Sequence, residues 1–197
     1  MTEPPSVCEQ CLTRGECFPT LANYFPGDSI YMLCRDCRLA THTSLHPLRV
    51  IAVSGYFDPP HSGHLELFDE ARKRGGRLIV IVNNDFQTRI KKGFSFYSAA
   101  ERLLLVERLS RGVSFPSIDE DSTVNQTLSL LLPDVFVNSG DVDTPEKVRE
   151  REVCREWQIE MVLVPGSKRQ SSSALLRGHE QWVRNQLSHD VRPTNPR

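Results

Sequence analysis

The run Gly55-Tyr56-Phe57-Asp58-Pro59-Pro60-His61-Ser62-Gly63-His64 constrains the fold of this chain more than any other segment. An apolar stretch, Val50 to Val53, precedes it, and a helix-like one, Leu65 to Arg72, follows. A strand, a turn and a helix in that order leave free N–H groups and a partial positive charge at the turn, where anions bind. Gly63 lets backbone and ligand approach closely. His61 and His64 add donors three residues apart, on one side of the turn. A lone histidine would read as a surface residue; two of them in this context read as a grip for phosphate.

The alternation continues downstream. Arg49 to Ser54 predicts a first strand. Ser62 to Arg74 predicts a helix, with Leu65, Phe68 and Ala71 at helical spacing and Gly75-Gly76 as its stop. Arg77 to Val82 is a continuous apolar run suited to a buried parallel strand. Asn83 to Gly93 reads as a polar, basic segment. Ser98 with Glu101 forms a capping box for a helix to Ser110. Val113 to Ile118 is a third strand, weakened by Pro116. Thr123 with Gln126 caps a helix ending near Leu132, and Asp134 to Asn138 is a fourth strand. Thr144-Pro145 opens another helix, Glu160 to Val164 is a fifth strand, and Ser171 to about Leu187 is a last helix. Strands alternating with helices specify an α/β fold: a Rossmann-like, parallel five-stranded sheet with helices on both faces. Such sheets bind ligands at the carboxyl ends of their strands, where the His61–His64 turn falls.

The 197 residues suffice for one ordinary core plus a small appendage. The net charge of −1 carries no global polyanion footprint, so nucleic acid is not an expected partner. Met1 to Val7 lacks the pattern of a secretory signal, and no apolar run is long enough for a bilayer, so a cytoplasmic location without membrane contact is expected. Five of the six cysteines fall within the first 37 residues. Cys8-x2-Cys11 and Cys34-x2-Cys37 form two knuckles separated by 22 residues, a pattern that predicts a structural Zn²⁺ in a small zinc-ribbon-like domain. Tetrahedral thiolate ligation would replace the core that so short a segment lacks, with Cys17, His42 and His46 as alternative ligands. Cys154 reads as core. The expected organisation is 1–46 zinc-ribbon-like, 47–188 α/β and 189–197 a disordered tail.

Five separated motifs occur in a telling order. The first is Tyr56 to His64; the second is Val82-Asn83-Asn84-Asp85 followed by Lys91-Lys92-Gly93. The third is Ala100-Glu101-Arg102, and the fourth is Pro133-Asp134-Val135-Phe136-Val137-Asn138-Ser139-Gly140-Asp141, with Ser139 in place of one glycine. The fifth is Ser171-Ser172-Ser173 ahead of the last helix, with Arg177 after it. Together they resemble the cytidylyltransferase-like nucleotidyltransferase superfamily, and within it the small enzymes that activate glycerol phosphate or heptose phosphate.

The resemblance implies transfer of AMP or CMP from ATP or CTP to a small phosphorylated acceptor, with release of pyrophosphate. It implies catalytic roles for His61 and His64 at the α-phosphate, and for Lys92, in a mobile loop, at the acceptor phosphate or leaving pyrophosphate. Tyr56, Phe57, Asp58, Gly63, Gly140, Asp141, Ser171, Ser172, Ser173 and Arg177 would bind the nucleotide, and Arg102 the acceptor. Mg²⁺ would arrive with the triphosphate. Similar enzymes are often homodimers. The competing expectation is a zinc-ribbon binding module for nucleic acid or protein, joined to a nucleotide-sensing, non-catalytic α/β domain.

Overall fold

The computed structural model describes residues 17–21, 30–34, 36–37, 49–140, 144–165 and 172–189. The 189–197 tail beyond its first residue, and most of the 1–46 segment, lie outside them.

Strands β1 (Cys17–Leu21) and β2 (Ile30–Cys34) pair antiparallel, with Cys17 opposite Cys34. The second part contains β3 (Val50–Gly55), α1 (Ser62–Arg72), β4 (Arg77–Val82), α2 (Asp85–Lys92), α3 (Ala99–Ser110) and β5 (Val113–Pro116). It continues with α4 (Asn125–Leu131), β6 (Val135–Gly140), a 3₁₀ turn (Pro145–Lys147), α5 (Arg151–Glu156), β7 (Glu160–Pro165) and α6 (Ser172–His189). The five strands β3 to β7 form one parallel sheet in the order β5-β4-β3-β6-β7. The chain runs outward from β3 to one edge and returns to β6, so the switch point lies between β3 and β6.

Strand side chains point alternately to opposite faces. Ile51, Val53, Leu78, Val80, Val82, Val135 and Val137 accordingly pack with Leu67, Phe68 and Ala71 of α1 and Val106 of α3. Val50, Ala52, Ile79, Ile81 and Phe136 meet Leu128 and Leu131 of α4, and Cys154 and Trp157 at α5. Two cores on the two faces give the expected layered architecture. Burial raises the Cys154 thiol to about 12, as befits a core cysteine. Gly76 closes the α1–β4 turn at φ 104°, where a Cβ would lie 2.0 Å from the Arg49 carbonyl oxygen.

Three local expectations need correction. Asn83 to Gly93 is not a loop: Asn84 accepts from the Gln87 N–H at 2.9 Å and caps α2, and Gly93 ends it at φ 80°. Its buried positions are the polar Gln87 and Thr88, while Phe86 and Ile90 face solvent, so hydrophobic periodicity gave no signal. The cap of α4 is not Thr123: the buried Asp119 carboxylate accepts from the N–H groups of Gln126 at 2.7 Å and Thr127 at 3.1 Å. Thr144-Pro145 opens only a 3₁₀ turn, and α5 begins later, at Arg151.

Candidate active site

The turn between β3 and α1 is shaped by Phe57. Its φ of 50° is unusual for a bulky residue and costs about 1–3 kcal/mol unless the surroundings hold it. The ring is fully buried, 5.6 Å from the Phe68 ring, and it passes so close to Gly55 that a Cβ there would lie 2.9 Å from it. Phe57 is therefore an anchor of the turn, and only its backbone can face a nucleotide.

Asp58 is also fully buried. One carboxylate oxygen accepts from the N–H groups of Phe96 and Tyr97, each at 3.0 Å, and the other from Phe96, also at 3.0 Å. The side chain thus ties the segment before α3 to the turn and leaves only the backbone of Asp58 for the contact with nucleotide that the resemblance implies. Arg102 is likewise completely buried. Nε donates to the Tyr97 carbonyl at 3.2 Å, and Nη1 to the carbonyls of Tyr56 at 2.9 Å and Asn83 at 2.5 Å. Nη2 pairs with Asp85 at 2.7 Å. All of its nitrogens are engaged, so the expectation that Arg102 binds an acceptor gives way to a structural role, locking two strand ends and two helices together.

His61 and His64 behave differently. Their rings stack at 3.8 Å between centroids, and His64 also lies 4.7 Å from the Phe57 ring. The His61 backbone N–H donates to His64 Nδ1 at 3.1 Å, which puts the proton of the neutral His64 ring on Nε2. Nδ1 of His61 is buried and bonds to none of the described residues. Burial first, then the neighbouring His61 and Lys92, lowers His64 to about 3. Burial and Lys92 also lower His61. Lys92, in the last turn of α2, donates to the Asp58 carbonyl and sits 5.9 Å from the centre of the half-buried Tyr56 ring. Burial is the main cause that lowers its pKa, opposed by Asp58 and aided by Arg102. Burial is the largest cause for all three basic groups, and the Lys92 charge adds to it at both histidines, an environment that an anion would relieve.

Sequence reasoning placed Lys92 in a mobile loop; it rides instead on a capped helix. That helix is held to the sheet by Asn84, whose amide donates to the carbonyls of Ser117 at 3.1 Å and Asp119 at 2.8 Å. Gln87 adds bonds to the carbonyls of Asp121 and Thr123, each at 2.7 Å. The Asn84–Gln87 spacing and Gly93 were the missed signal. Gly63 lies in the first turn of α1, and Gly140 ends β6 opposite Pro165, so the first and fourth motifs share the carboxyl end of the sheet. Ser172 and Ser173 open α6, where only their backbone is described, and Arg177 is exposed on the same helix. Asp141 and Ser171 lie outside the described residues, as do Cys8 and Cys11. Cys34 ends β2 and Cys37 is half-buried. Among the described residues no group of three or more His, Cys, Asp or Glu side chains forms a metal cluster. No helix among them is long and apolar enough to cross a membrane.

The doubly wound sheet carries paired histidines and a lysine at the carboxyl end of its central strand. The chain belongs to the cytidylyltransferase-like family, whose model matches residues 52–188. It is 36% identical over 132 residues to the bifunctional protein HldE of Streptomyces coelicolor, covering 64% of this chain and 27% of that protein. The bifunctional protein HldE of Cronobacter sakazakii is 34% identical over 116 residues, covering 58% of this chain and 24% of its own. The chain thus spans about a quarter of the length of these curated relatives. The crystal structure of the lipopolysaccharide core biosynthesis protein from Thermoplasma volcanium matches with a TM-score of 0.52 at 23% identity. That match covers 62% of this chain and 99% of the other, a likeness of fold.

Proposed function

We propose that the chain transfers AMP or CMP from ATP or CTP to a small phosphorylated acceptor, a sugar or polyol phosphate, and releases pyrophosphate. The observation that carries this reading is the stacked His61–His64 pair at the first turn of α1, with Lys92 close enough to depress both. An oxygen of the acceptor phosphate attacks the α-phosphorus in line. The bond from that phosphorus to the bridging oxygen of the leaving group breaks, and pyrophosphate departs with the electron pair. No general base is needed, because the acceptor phosphate is already ionised at neutral pH. Neutral His64 donates from Nε2–H to an oxygen of the five-coordinate phosphorus, and His61 shares that charge. Lys92 holds the acceptor or pyrophosphate as a point charge. Magnesium belongs to the substrate, as the triphosphate complex. Gly140, Asp141, the Ser171–Ser173 segment and Arg177 complete the nucleotide site on this reading, the serines with the N–H groups opening α6.

Structural zinc at Cys8, Cys11, Cys34 and Cys37 is a separate proposal, supported by their spacing and by the hairpin that ends at Cys34. Incubation of the protein with each triphosphate and a panel of phosphorylated acceptors, read out as pyrophosphate, tests the activity. One triphosphate–acceptor pair should turn over, and silence across the panel would count against the reading. Zinc content should fall in Cys34→Ser, and unchanged content would remove that ligand set.

A further inference from the structure

A cleft of about 420 Å³ opens between α2 and the segment that joins it to α3, lined by Asp85, Arg89, Phe94, Ser95, Tyr97 and Ser98. That is the small end of the range for ligand sites, about 300–1,000 Å³. Lys92 follows Arg89 by three residues on the same helix, so the cleft begins one turn from the catalytic lysine. Its far wall is tied to the catalytic turn, because the Asp58 carboxylate holds the Phe96 and Tyr97 N–H groups while the Asp58 carbonyl accepts from Lys92. Ser95 Oγ donates to the Tyr97 carbonyl at 2.6 Å and stiffens the same segment.

The charged groups in this cleft are unusually open. Asp85 and Arg89 are four residues apart on one helix face, spacing at which opposite charges ordinarily pair. Here they form no ion pair: Asp85 bonds to Arg102 through Oδ1, and its side chain remains 36% exposed. Arg89 is exposed and forms no hydrogen bond or ion pair with any described side chain. A carboxylate that accepts and a guanidinium that donates, side by side, match the donors and acceptors of adjacent hydroxyl groups. Phe94 and Tyr97, both partly exposed, offer apolar faces to the C–H groups between them.

We infer that this cleft holds the body of the acceptor, and that Asp85 and Arg89 form a hydroxyl-reading pair that sets acceptor specificity. The acceptor phosphate points to Lys92, its hydroxyls lie on Asp85 and Arg89, and its carbon skeleton rests on Phe94 or Tyr97. This assignment rests on the nucleotidyl-transfer reading for its purpose, although binding can be measured without turnover.

The test is titration of ¹⁵N-labelled protein with aldose 1-phosphates and glycerol 3-phosphate, with inorganic phosphate and FMN as comparators. At least one hydroxylated phosphate should shift the amide signals of Gly93 to Ser98 and bind at least ~10-fold tighter than inorganic phosphate. Arg89→Gln should weaken that ligand ~10-fold or more while inorganic phosphate and the triphosphate bind as before. Arg89 is exposed, so the unfolding midpoint of the variant should match the wild type. Binding without shifts at 93–98, equal loss of inorganic phosphate in Arg89→Gln, tighter binding of FMN, or no binding by any of the hydroxylated phosphates would overturn the assignment. Pyrophosphate release with an acceptor KM untouched by Arg89→Gln would overturn the cleft and leave the transfer reading standing. Arg89-dependent binding without pyrophosphate from any triphosphate would do the reverse.

Discussion

The two ends of one motif behave in opposite ways. Phe57 and Asp58 are fully buried and completely partnered, and with Arg102 and Asp85 they form a knot beneath the turn. His61, His64 and Lys92, a few residues or one helix away, are lowered chiefly by burial, with Lys92 acting on both histidines, and His61 Nδ1 bonds to none of the described residues. On the proposed reading the difference separates residues that hold the turn from residues that are held for a ligand. Buried polar groups in a folded chain are normally satisfied, and on the proposed reading substrate supplies the bond that the described residues leave open at His61 Nδ1.

The knot should give the largest effect. Arg102→Met leaves Asp85 without its cation, takes the guanidinium from the Tyr56 and Asn83 carbonyls and leaves the Tyr97 carbonyl only Ser95, and should cost about 3–5 kcal/mol in urea unfolding. Wild-type stability would show that the knot is incidental. Lys92→Met should instead leave stability within about 0.5 kcal/mol and slow turnover by about 10²-fold, as for other preorganised charge stabilisers. If unfolding weakened and turnover did not, Lys92 would move to the structural side of the comparison.

The histidine pair has its own signature in pH. His64 is lowered from 6.5 to about 3 in the folded protein, so the unfolded chain binds its proton first as pH falls. Its contribution to stability is complete above about 6.5 and is lost progressively below, toward 3. Between pH 6.5 and 5 that one group should remove about 1–2 kcal/mol. His64→Gln should flatten the profile in this window, and an unchanged slope would mean that the ring is not desolvated. The smallest effect should be at the α2 cap: Asn84→Ala should cost about 1 kcal/mol. It should also raise the acceptor KM more than the triphosphate KM, since α2 carries Lys92.

Much of this arrangement was legible in the sequence, for a specific reason. The strands are buried on both faces, so Arg77 to Val82 could be read as a run and the turn after Val53 could be located within a residue or two. Helix α2 was illegible to the same logic, because it turns Gln87 and Thr88 inward and Phe86 and Ile90 outward. Its evidence was chemical: a cap, a reciprocal Gln and a terminal Gly. The roles of Asp58 and Arg102 were hidden more deeply. A motif records that a residue type is required at a position, but not whether its hydrogen bonds run into the protein or toward a substrate. The carboxylate bonds to Phe96 and Tyr97 join residues 38 or more positions apart and exist only in three dimensions. Arg89, with no partner among the described residues although it stands beside Asp85, stood out only once the cleft around it was visible.

The central claim is that His61 and His64 act on a phosphate rather than on the fold, and His64→Ala tests it most directly. Pyrophosphate release and the unfolding midpoint should be measured on the same preparation at pH 7.5. The account predicts a rate lower by about 10²–10³-fold in a protein that still unfolds cooperatively near the wild-type midpoint. Wild-type turnover in that variant would contradict it.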